Sequence, residues 1–217
     1  MRYGKMNNDI ISSDYIELRN NKVAKKWGEK YYYEWGKHYI KSMNIAKNVL
    51  RSSLMASIVE FYCGHSHIHI NKYLRFGIDE SKIYEEMSHI LIITLSTAPR
   101  VPNNIIVYRL VCDEFIHELI KRNKKGLPTQ EKGFISTSLT KDIIKNSNEP
   151  YSDDKNMLKI YVKSNTVGIY VNVIAKRNEN ELLLCPDGYF RLLKNPYEES
   201  GKIIYECELI YFFMDII

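Results

Sequence analysis

Residues 177–184 have the sequence Arg-Asn-Glu-Asn-Glu-Leu-Leu-Leu, so two carboxylates stand one residue apart where an apolar strand begins. An extended strand sends alternate side chains to one face, and we therefore expect Glu179 and Glu181 to point the same way. Two like charges on one face repel each other unless they are solvated, share a cation, or have separate duties in a site. The stretch is either a solvated turn or the acidic edge of a functional cleft.

Length and composition are those of a soluble protein with a substantial core. The chain has 217 residues, 45% of them hydrophobic, and its formal net charge of +5 comes from scattered basic residues. Scattered charge is weak support for nucleic-acid binding and fits anionic phosphates equally well. We expect a single domain over residues 1–217 that is monomeric, with neither a nucleic-acid nor a membrane partner.

Neither a metal site nor an export signal is expected. The four cysteines show no C-x-x-C spacing, which favours a reducing compartment. His65, His67 and His69 alternate after Cys63, but the flanking residues favour a helix, on which these positions do not converge on a metal. Residues 1–15 lack the apolar core of a signal peptide, and no run approaches the ~18 apolar residues of a membrane span. The sequence thus predicts a soluble protein without a metal.

The order of the secondary-structure signals predicts an α+β fold. Residues 1–98 are mostly helical by pattern, with large side chains every four residues from Val23 to Tyr39, and Asp14 with Glu17 suggests a capping box before them. A second helix is predicted from Leu50 to Tyr62. Residues 99–217 are β-rich, apart from one helix over residues 113–122. The predicted strands are 105–111, 133–139, 158–162, 168–174, 182–184, 189–193 and 203–213.

Two further features of the β-rich part could carry chemistry. Arg109 lies in an apolar run, and a guanidinium fork on a rigid strand suits bidentate recognition of phosphate or carboxylate. A structural ion pair is the alternative interpretation. Residues 133–138 have the sequence Gly-Phe-Ile-Ser-Thr-Ser, so three hydroxyl side chains stand at a strand end. They can orient a neighbouring carboxylate, but Ser and Thr are also ordinary on an edge strand.

In sequence order, Arg109, Ser136-Thr137-Ser138 and Glu179-Asn180-Glu181 resemble the motifs of arginine-specific mono-ADP-ribosyltransferases. Upstream segments extend the resemblance to the catalytic domains of clostridial and vegetative insecticidal binary toxins, which modify actin. These segments are Ala24-Lys25-Lys26-Trp27-Gly28 with Tyr31 and Trp35, Tyr62 with Ile70-Asn71-Lys72-Tyr73-Leu74-Arg75, and residues 102–109. Together the matches cover about residues 23 to 213.

The resemblance implies an ADP-ribosyltransferase fold, in which N-terminal helices pack on a two-sheet, mainly antiparallel β core with an NAD cleft. NAD would be the substrate, and no metal would be needed. Arg109 would hold the NAD diphosphate, while Tyr62 and Asn71 would line the adenosine side. Ser136 would orient the second glutamate, and Ser136, Thr137 and Ser138 would all contact NAD.

The resemblance also implies separate duties for the two glutamates. Glu181 would bond the 2′-hydroxyl of the nicotinamide ribose and stabilise an oxocarbenium-like transition state. Glu179 would receive the acceptor guanidinium and accept its proton. The expected function is transfer of ADP-ribose to an arginine of a host protein, with actin as a candidate, in the host cytoplasm after delivery. An NAD glycohydrolase, which has less use for Glu179, and a non-enzymatic nucleotide- or protein-binding domain remain alternatives.

Three regions depart from the toxin pattern. Leu110 follows Arg109 where the toxin group often has a second arginine. Residues 175–178 lack the aromatic side chain with which many relatives contact the protein substrate, and the segment between Ser138 and Leu158 is longer than usual. Arginine as the acceptor is therefore better supported than actin as the target.

Overall fold

The computed structural model describes residues 12–51, 56–79, 82–142, 155–177 and 179–212. Its α-helices lie mostly in the first half of the chain: α1 (Asn21–Val49), α2 (Ile58–Phe61), α3 (His67–Phe76), α4 (Ile83–Thr97) and α5 (Asp113–Asn123). The strands are β1 (Ile16–Glu17), β2 (Ile105–Val111), β3 (Thr129–Glu131), β4 (Ile135–Ser138), β5 (Asn156–Val162), β6 (Gly168–Tyr170), β7 (Glu181–Leu184), β8 (Gly188–Leu192), β9 (Tyr197–Glu199) and β10 (Lys202–Ile210).

The first helix begins later and extends further than its sequence pattern predicts. The predicted capping box is wrong, because Glu17 lies in β1, which pairs with β2. Asn20 caps α1 instead, and its side chain accepts a hydrogen bond from the Val23 backbone N–H at 3.0 Å. The predicted second helix is also misplaced at its start, because α1 continues to Val49 and α2 begins only at Ile58. Tertiary packing along α1 outweighs the local signals.

The strands form a mixed, mostly antiparallel sheet. They follow one hydrogen-bonded path, β3-β8-β10-β5-β2-β4-β7-β6, with β1 beside β2 and β9 beside β10. The pairs β1–β2 and β5–β10 are parallel, whereas the other described pairs are antiparallel. A single residue pair, Tyr108 with Ser138, links β2 to β4. The α+β prediction, with N-terminal helices followed by a mainly antiparallel core, is confirmed.

Strand β7 lies between two hydrophobic clusters, and all four of its residues are buried. Leu182 and Leu184 join the cluster that unites β2, β5 and α1, while Leu183 joins the cluster formed with α3 and α4. Alternate side chains of a strand share a face, so Glu181 lies on the same side as Leu183. The strand thus directs its first carboxylate toward the cluster formed with α3 and α4.

The contact between α1 and β6 requires a glycine at position 28. A Cβ atom at Gly28 would lie 2.3 Å from the ring of Tyr170. Ala24 and Trp27 are buried in the same cluster as Tyr170. The segment that resembles the toxin entry motif is therefore a packing surface.

Two predictions about the second half of the chain are altered or fall outside the described residues. The predicted strand 168–174 ends at Tyr170 and continues as a 3-10 turn, Val171–Val173. Most of the long segment before Leu158 lies outside the described residues, which omit 143–154. Within the part of the chain that the structure describes, the helices are all too short or too polar to cross a bilayer.

Candidate active site

Ser136 and Glu181 lie on adjacent strands and are in direct contact. In the antiparallel pair β4–β7, Ser138 is opposite Glu181 and Ser136 is opposite Leu183. Ser136 reaches diagonally along the shared face, and its hydroxyl donates to Glu181 Oε1 at 2.5 Å. The short distance is that of a charge-assisted O–H···O hydrogen bond. The first predicted hydroxyl therefore holds the second predicted glutamate.

Glu181 is a buried carboxylate with one unsatisfied oxygen. Burial raises its pKa, the Ser136 hydrogen bond and the charge of Arg177 oppose that rise, and the pKa remains above its ordinary value. Among the described residues, Oε2 has no hydrogen-bond partner. An unsatisfied buried polar group costs about 1–3 kcal/mol. The arrangement suits a site in which a ligand supplies the missing donor.

Glu179 lies in a different environment two residues earlier. Its side chain is 52% exposed, compared with 6% for Glu181. Arg177 lies beside both, with Nη2 3.5 Å from Glu179 Oε1 and Nη1 3.7 Å from Glu181 Oε2. The two glutamates therefore share a cation, which was one of the ways in which such a pair can exist on one face. Sequence reasoning did not single out Arg177, although it begins the stretch in which the glutamates were found.

Asn180 explains why the two glutamates can face the same side. Its amide group lies on the opposite face, where Oδ1 accepts from the Tyr170 hydroxyl at 2.8 Å and Nδ2 donates to Asn21 Oδ1 at 3.0 Å. The backbone carbonyl of Asn180 accepts from the Leu139 N–H at 2.8 Å. These contacts tie the start of β7 to α1 and β6. The register of the Glu-x-Glu stretch is fixed by its middle residue.

Arg109 extends from β2 toward Glu131, the last residue of β3. Its Nη2 lies 3.4 Å from Glu131 Oε2, and its Nη1 lies 3.5 Å from the carbonyl oxygen of Phe134. Arg75, from the last turn of α3, forms the closer pair with Glu131, at 2.8 and 2.9 Å. The ion pair proposed as the alternative for Arg109 is present, but its contacts are long. Sequence reasoning missed Glu131, and it named Arg75 as the end of a resembling segment without giving it a role in the site.

Glu131 remains ionised although it is buried. Its Oε1 also accepts the Gly133 backbone N–H at 2.8 Å. Burial alone would raise the pKa of Glu131, but the hydrogen bond from Arg75 and the charges of Arg109 and Arg75 outweigh burial and lower the pKa. Glu131 thus acts as a fixed negative charge between two arginines.

Tyr62 and Asn71 lie next to this arginine cluster. Asn71 Nδ2 donates to the Tyr62 hydroxyl at 3.0 Å, and Asn71 Oδ1 accepts from the Phe134 N–H at 2.9 Å. A Cβ atom at Gly133 would lie 2.9 Å from Asn71 Oδ1, so this approach needs a glycine. Burial raises the pKa of Tyr62, with further effects from Asn71 and the charges of Glu181, Arg109 and Arg75. Tyr62 therefore lies near both Glu181 and the arginine cluster of Arg75 and Arg109, and the charges of both affect its pKa.

The remaining hydroxyls of the predicted motif contact the protein backbone. Thr137 is buried and donates to the carbonyl of Leu182 at 2.7 Å, and Ser138 donates to the carbonyl of Thr140 at 2.8 Å. The structure therefore does not bring Thr137 and Ser138 to Glu181 through their hydroxyls. Of the three predicted hydroxyls, Ser136 is the one that contacts the carboxylate.

The alternating histidines are not arranged around a common point. His69 stacks on Tyr84 with ring centroids 5.1 Å apart, whereas His67 Nδ1 donates to the carbonyl of Gly64 at 2.7 Å. Within the described ranges, no group of three or more His, Cys, Asp or Glu side chains could hold a metal ion.

Comparisons with known proteins agree with this architecture. The sequence model of a family described as ADP-ribosyltransferase exoenzyme matches residues 24–192. No curated protein matches the chain. Among solved structures, the chain is similar to BECa, an ADP-ribosylating toxin of a binary enterotoxin of C. perfringens, solved with NADH. The TM-score is 0.68 at 22% identity, over 90% of this chain and 50% of BECa, so the chain spans half the length of that relative.

Two further proteins are matched over nearly their whole length. Plx2a, an ADP-ribosyltransferase toxin from Paenibacillus larvae, has a TM-score of 0.66 at 18% identity, over 90% of this chain and 100% of Plx2a. An exoenzyme from Clostridium limosum has a TM-score of 0.60 at 17% identity, over 91% of this chain and 98% of the exoenzyme. The fold similarity and the family match together confirm the resemblance found in the sequence. The chain belongs to the ADP-ribosyltransferase exoenzyme family.

Proposed function

We propose that this protein is a mono-ADP-ribosyltransferase that cleaves NAD and transfers ADP-ribose to an arginine of a host protein in the host cytoplasm. The observation that carries the proposal is the contrast between two carboxylates at the start of β7. Glu181 is buried and held by Ser136, and one of its oxygens has no donor among the described residues, whereas Glu179 is half exposed. This contrast supports a role for Glu181 toward a ligand inside the cleft and a role for Glu179 toward a group that arrives from outside.

Arg109 is the proposed contact for the NAD diphosphate. A guanidinium carries five N–H donors in a planar fork, and its present contacts with Glu131 and Phe134 are long. A diphosphate would therefore replace weak contacts. The closer pair with Arg75 would keep Glu131 in place when Arg109 turns to the diphosphate. We further propose that Tyr62 and Asn71 line the adenosine side.

Glu181 is the proposed residue for cleavage of NAD. Its unsatisfied Oε2 would accept a hydrogen bond from the 2′-hydroxyl of the nicotinamide ribose. Its negative charge would stabilise the ribosyl cation as the bond from C1′ to nicotinamide breaks. A charge in a buried site acts more strongly than the same charge in water. Ser136 would position this carboxylate, whereas Thr137 and Ser138 would support β4 through their backbone contacts.

Glu179 is the proposed residue for the acceptor. An arginine nitrogen of the target protein would attack C1′, and Glu179 would take the proton that this nitrogen loses. A half-exposed carboxylate can pair with an incoming guanidinium without prior rearrangement of the core. Actin is a candidate target because of the motif resemblance to binary toxins.

NAD glycohydrolase activity is a second candidate, favoured by one contact. Glu179 already has a guanidinium beside it, that of Arg177 at 3.5 Å. Water would attack C1′ of the ribosyl group whenever no target arginine displaces Arg177 from Glu179. A purely binding function is less well supported, because the family whose sequence model matches residues 24–192 is one of ADP-ribosyltransferase exoenzymes.

Labelled NAD with a host-cell lysate, and separately with purified actin, tests the proposal. We expect one or more labelled proteins in which the label is on arginine. Glu179→Gln should lose transfer and keep NAD hydrolysis, because the acceptor loses its proton acceptor while the buried site is unchanged. Glu118→Gln is a matched control, since Glu118 is also about half exposed and pairs with Lys121 at 3.7 Å. Equal loss of transfer and hydrolysis in Glu179→Gln would contradict the division of duties.

A further inference from the structure

Arg177 already occupies the position that the proposed function gives to an acceptor arginine. Its Nη2 lies 3.5 Å from Glu179 Oε1, and its Nη1 lies 3.7 Å from Glu181 Oε2. We propose that Arg177 is itself an ADP-ribose acceptor, so that the protein carries a self-modification site at the edge of its own cleft. This inference rests on the proposed function, because it uses the same cleavage of NAD.

The backbone around Arg177 holds its side chain in this place. The Arg177 N–H donates to the carbonyl of Ala175 at 2.8 Å, and the Arg177 carbonyl accepts from Asn172 Nδ2 at 2.9 Å. Nη1 donates to the carbonyl of Cys63 at 3.1 Å. The guanidinium is therefore anchored on one side. Nη2, directed toward Glu179, is the nitrogen available for reaction.

Other arginines of the described chain have different partners. Arg75 and Arg109 pair with Glu131, and Arg191 pairs with Glu208. Among the described arginines, Arg177 is the one whose guanidinium lies within 4.0 Å of Glu179 or Glu181. Its side chain is 31% exposed, which leaves one edge accessible to a reacting sugar. The geometry thus distinguishes this arginine from the remainder.

The reaction balances with NAD as the single co-reactant. The bond between C1′ and the nicotinamide nitrogen breaks, and nicotinamide leaves with the bonding electrons. Nη2 of Arg177 forms the new bond to C1′. The proton released from Nη2 passes to the carboxylate of Glu179, which is already beside it. Because reacting groups held close together replace an intermolecular encounter, the step should occur within one molecule.

Modification of Arg177 would limit the activity of the protein. An ADP-ribosyl group on Nη2 would lie beside Glu179 and cover the carboxylate that receives the target arginine. Transfer to a target would then fall as self-modification proceeds. We expect pre-incubation with NAD alone to reduce later transfer to a host protein.

The test is incubation of the purified full chain with labelled NAD and no other protein, followed by intact mass measurement and peptide mapping. The expected result is one ADP-ribosyl group on Arg177, formed at a rate per molecule that does not change on dilution. Arg177→Lys keeps the charge but removes the guanidinium, so we expect it to lose the label and still cleave NAD. Arg191→Lys is the matched control and should keep the label, since Arg191 is a half-exposed arginine paired with a different carboxylate.

Different results separate this inference from the function on which it rests. Cleavage of NAD with transfer to a small guanidine compound, but without a label on wild-type Arg177, overturns the inference and leaves the proposed function standing. A label of wild-type size in Arg177→Lys also overturns it. Absence of any NAD cleavage overturns both. The peptide map of the wild-type chain decides the matter even if a variant folds poorly.

Discussion

Glu131 and Glu181 are two glutamates with nearly equal exposure, 7% and 6% of their side chains. Burial raises the pKa of both, yet the pKa of Glu131 ends below its ordinary value and that of Glu181 above it. Glu131 accepts hydrogen bonds from Arg75 and the Gly133 backbone, whereas Glu181 accepts one from Ser136. Burial alone therefore does not decide the charge of a carboxylate. The donors that surround it do.

The two regions have different uses for the same side chain. Around Glu131 the donors and acceptors are matched, so this glutamate holds the end of α3 and the guanidinium of Arg109 in place. Around Glu181, within the part of the chain that the structure describes, one oxygen has no donor and the nearest guanidinium is 3.7 Å away. Such a mismatch lowers stability and is typical of sites that bind or react.

The largest expected effect comes from removing the charge of Glu181. We expect Glu181→Gln to reduce NAD cleavage by at least about 10²-fold, or roughly 3 kcal/mol, because the ribosyl cation loses its stabilising charge. Thermal unfolding should show equal or greater stability, since a poorly paired buried charge is removed. An NAD-cleavage assay and a melting curve measure both quantities. Wild-type NAD cleavage by Glu181→Gln would contradict the catalytic role proposed for Glu181 and its contrast with the structural Glu131.

The next effect concerns stability around Glu131. We expect Glu131→Gln to lower the free energy of unfolding by about 2–3 kcal/mol at neutral pH, toward the low end for a broken buried pair because Arg75 is partly exposed. Urea denaturation measures this difference, with Glu181→Gln as the matched variant. Since the folded pKa of Glu131 is lowered, its contribution is present above the ordinary pKa and is lost as pH falls through the lowered value. Equal stability of the two variants would mean that the donors around Glu131 are unimportant.

The smallest effect is a shift in the pH dependence of NAD cleavage. Glu181 must be ionised, and its pKa is raised, so activity should fall at a pH above the ordinary value of 4.5 as pH decreases. Ser136→Ala and Arg177→Gln remove groups that lower this pKa, and both should move the acid limb to higher pH, Ser136→Ala by more. For Arg177→Gln we expect the smaller shift, because Arg177 Nη1 lies 3.7 Å from Glu181 Oε2 whereas Ser136 donates a direct hydrogen bond to the carboxylate. Ser138→Ala is the control, because Ser138 bonds the carbonyl of Thr140. An unchanged limb in both test variants would contradict the assignment of Glu181.

Much of the fold followed from local patterns in the chain. The predicted strand Ile105–Val111 has the same bounds in the structure, and the predicted helix 113–122 is one residue short of α5. Strand β3 was missed, because Thr129–Glu131 is polar and becomes a strand only by pairing with β8. The start of α1 was misplaced, because Asp14 has the local pattern of a cap, whereas the helix that packs against β6 and the following 3-10 turn begins after Asn20.

The same division holds for the candidate site. By itself, the sequence determined the order of helices and strands, since periodicity is a property of neighbouring residues. The resemblance of its motifs to those of ADP-ribosyltransferases singled out Arg109, Ser136 and Glu181. The tertiary structure decided the environment of each group. Arg75 is 56 residues from Glu131, and Ser136 is 45 residues from Glu181. The charge of a carboxylate depends on burial and on donors that come from such distant parts of the chain. Only the folded chain therefore shows that Glu131 is paired and that one oxygen of Glu181 has no donor among the described residues. It also shows that Arg177 lies between Glu179 and Glu181.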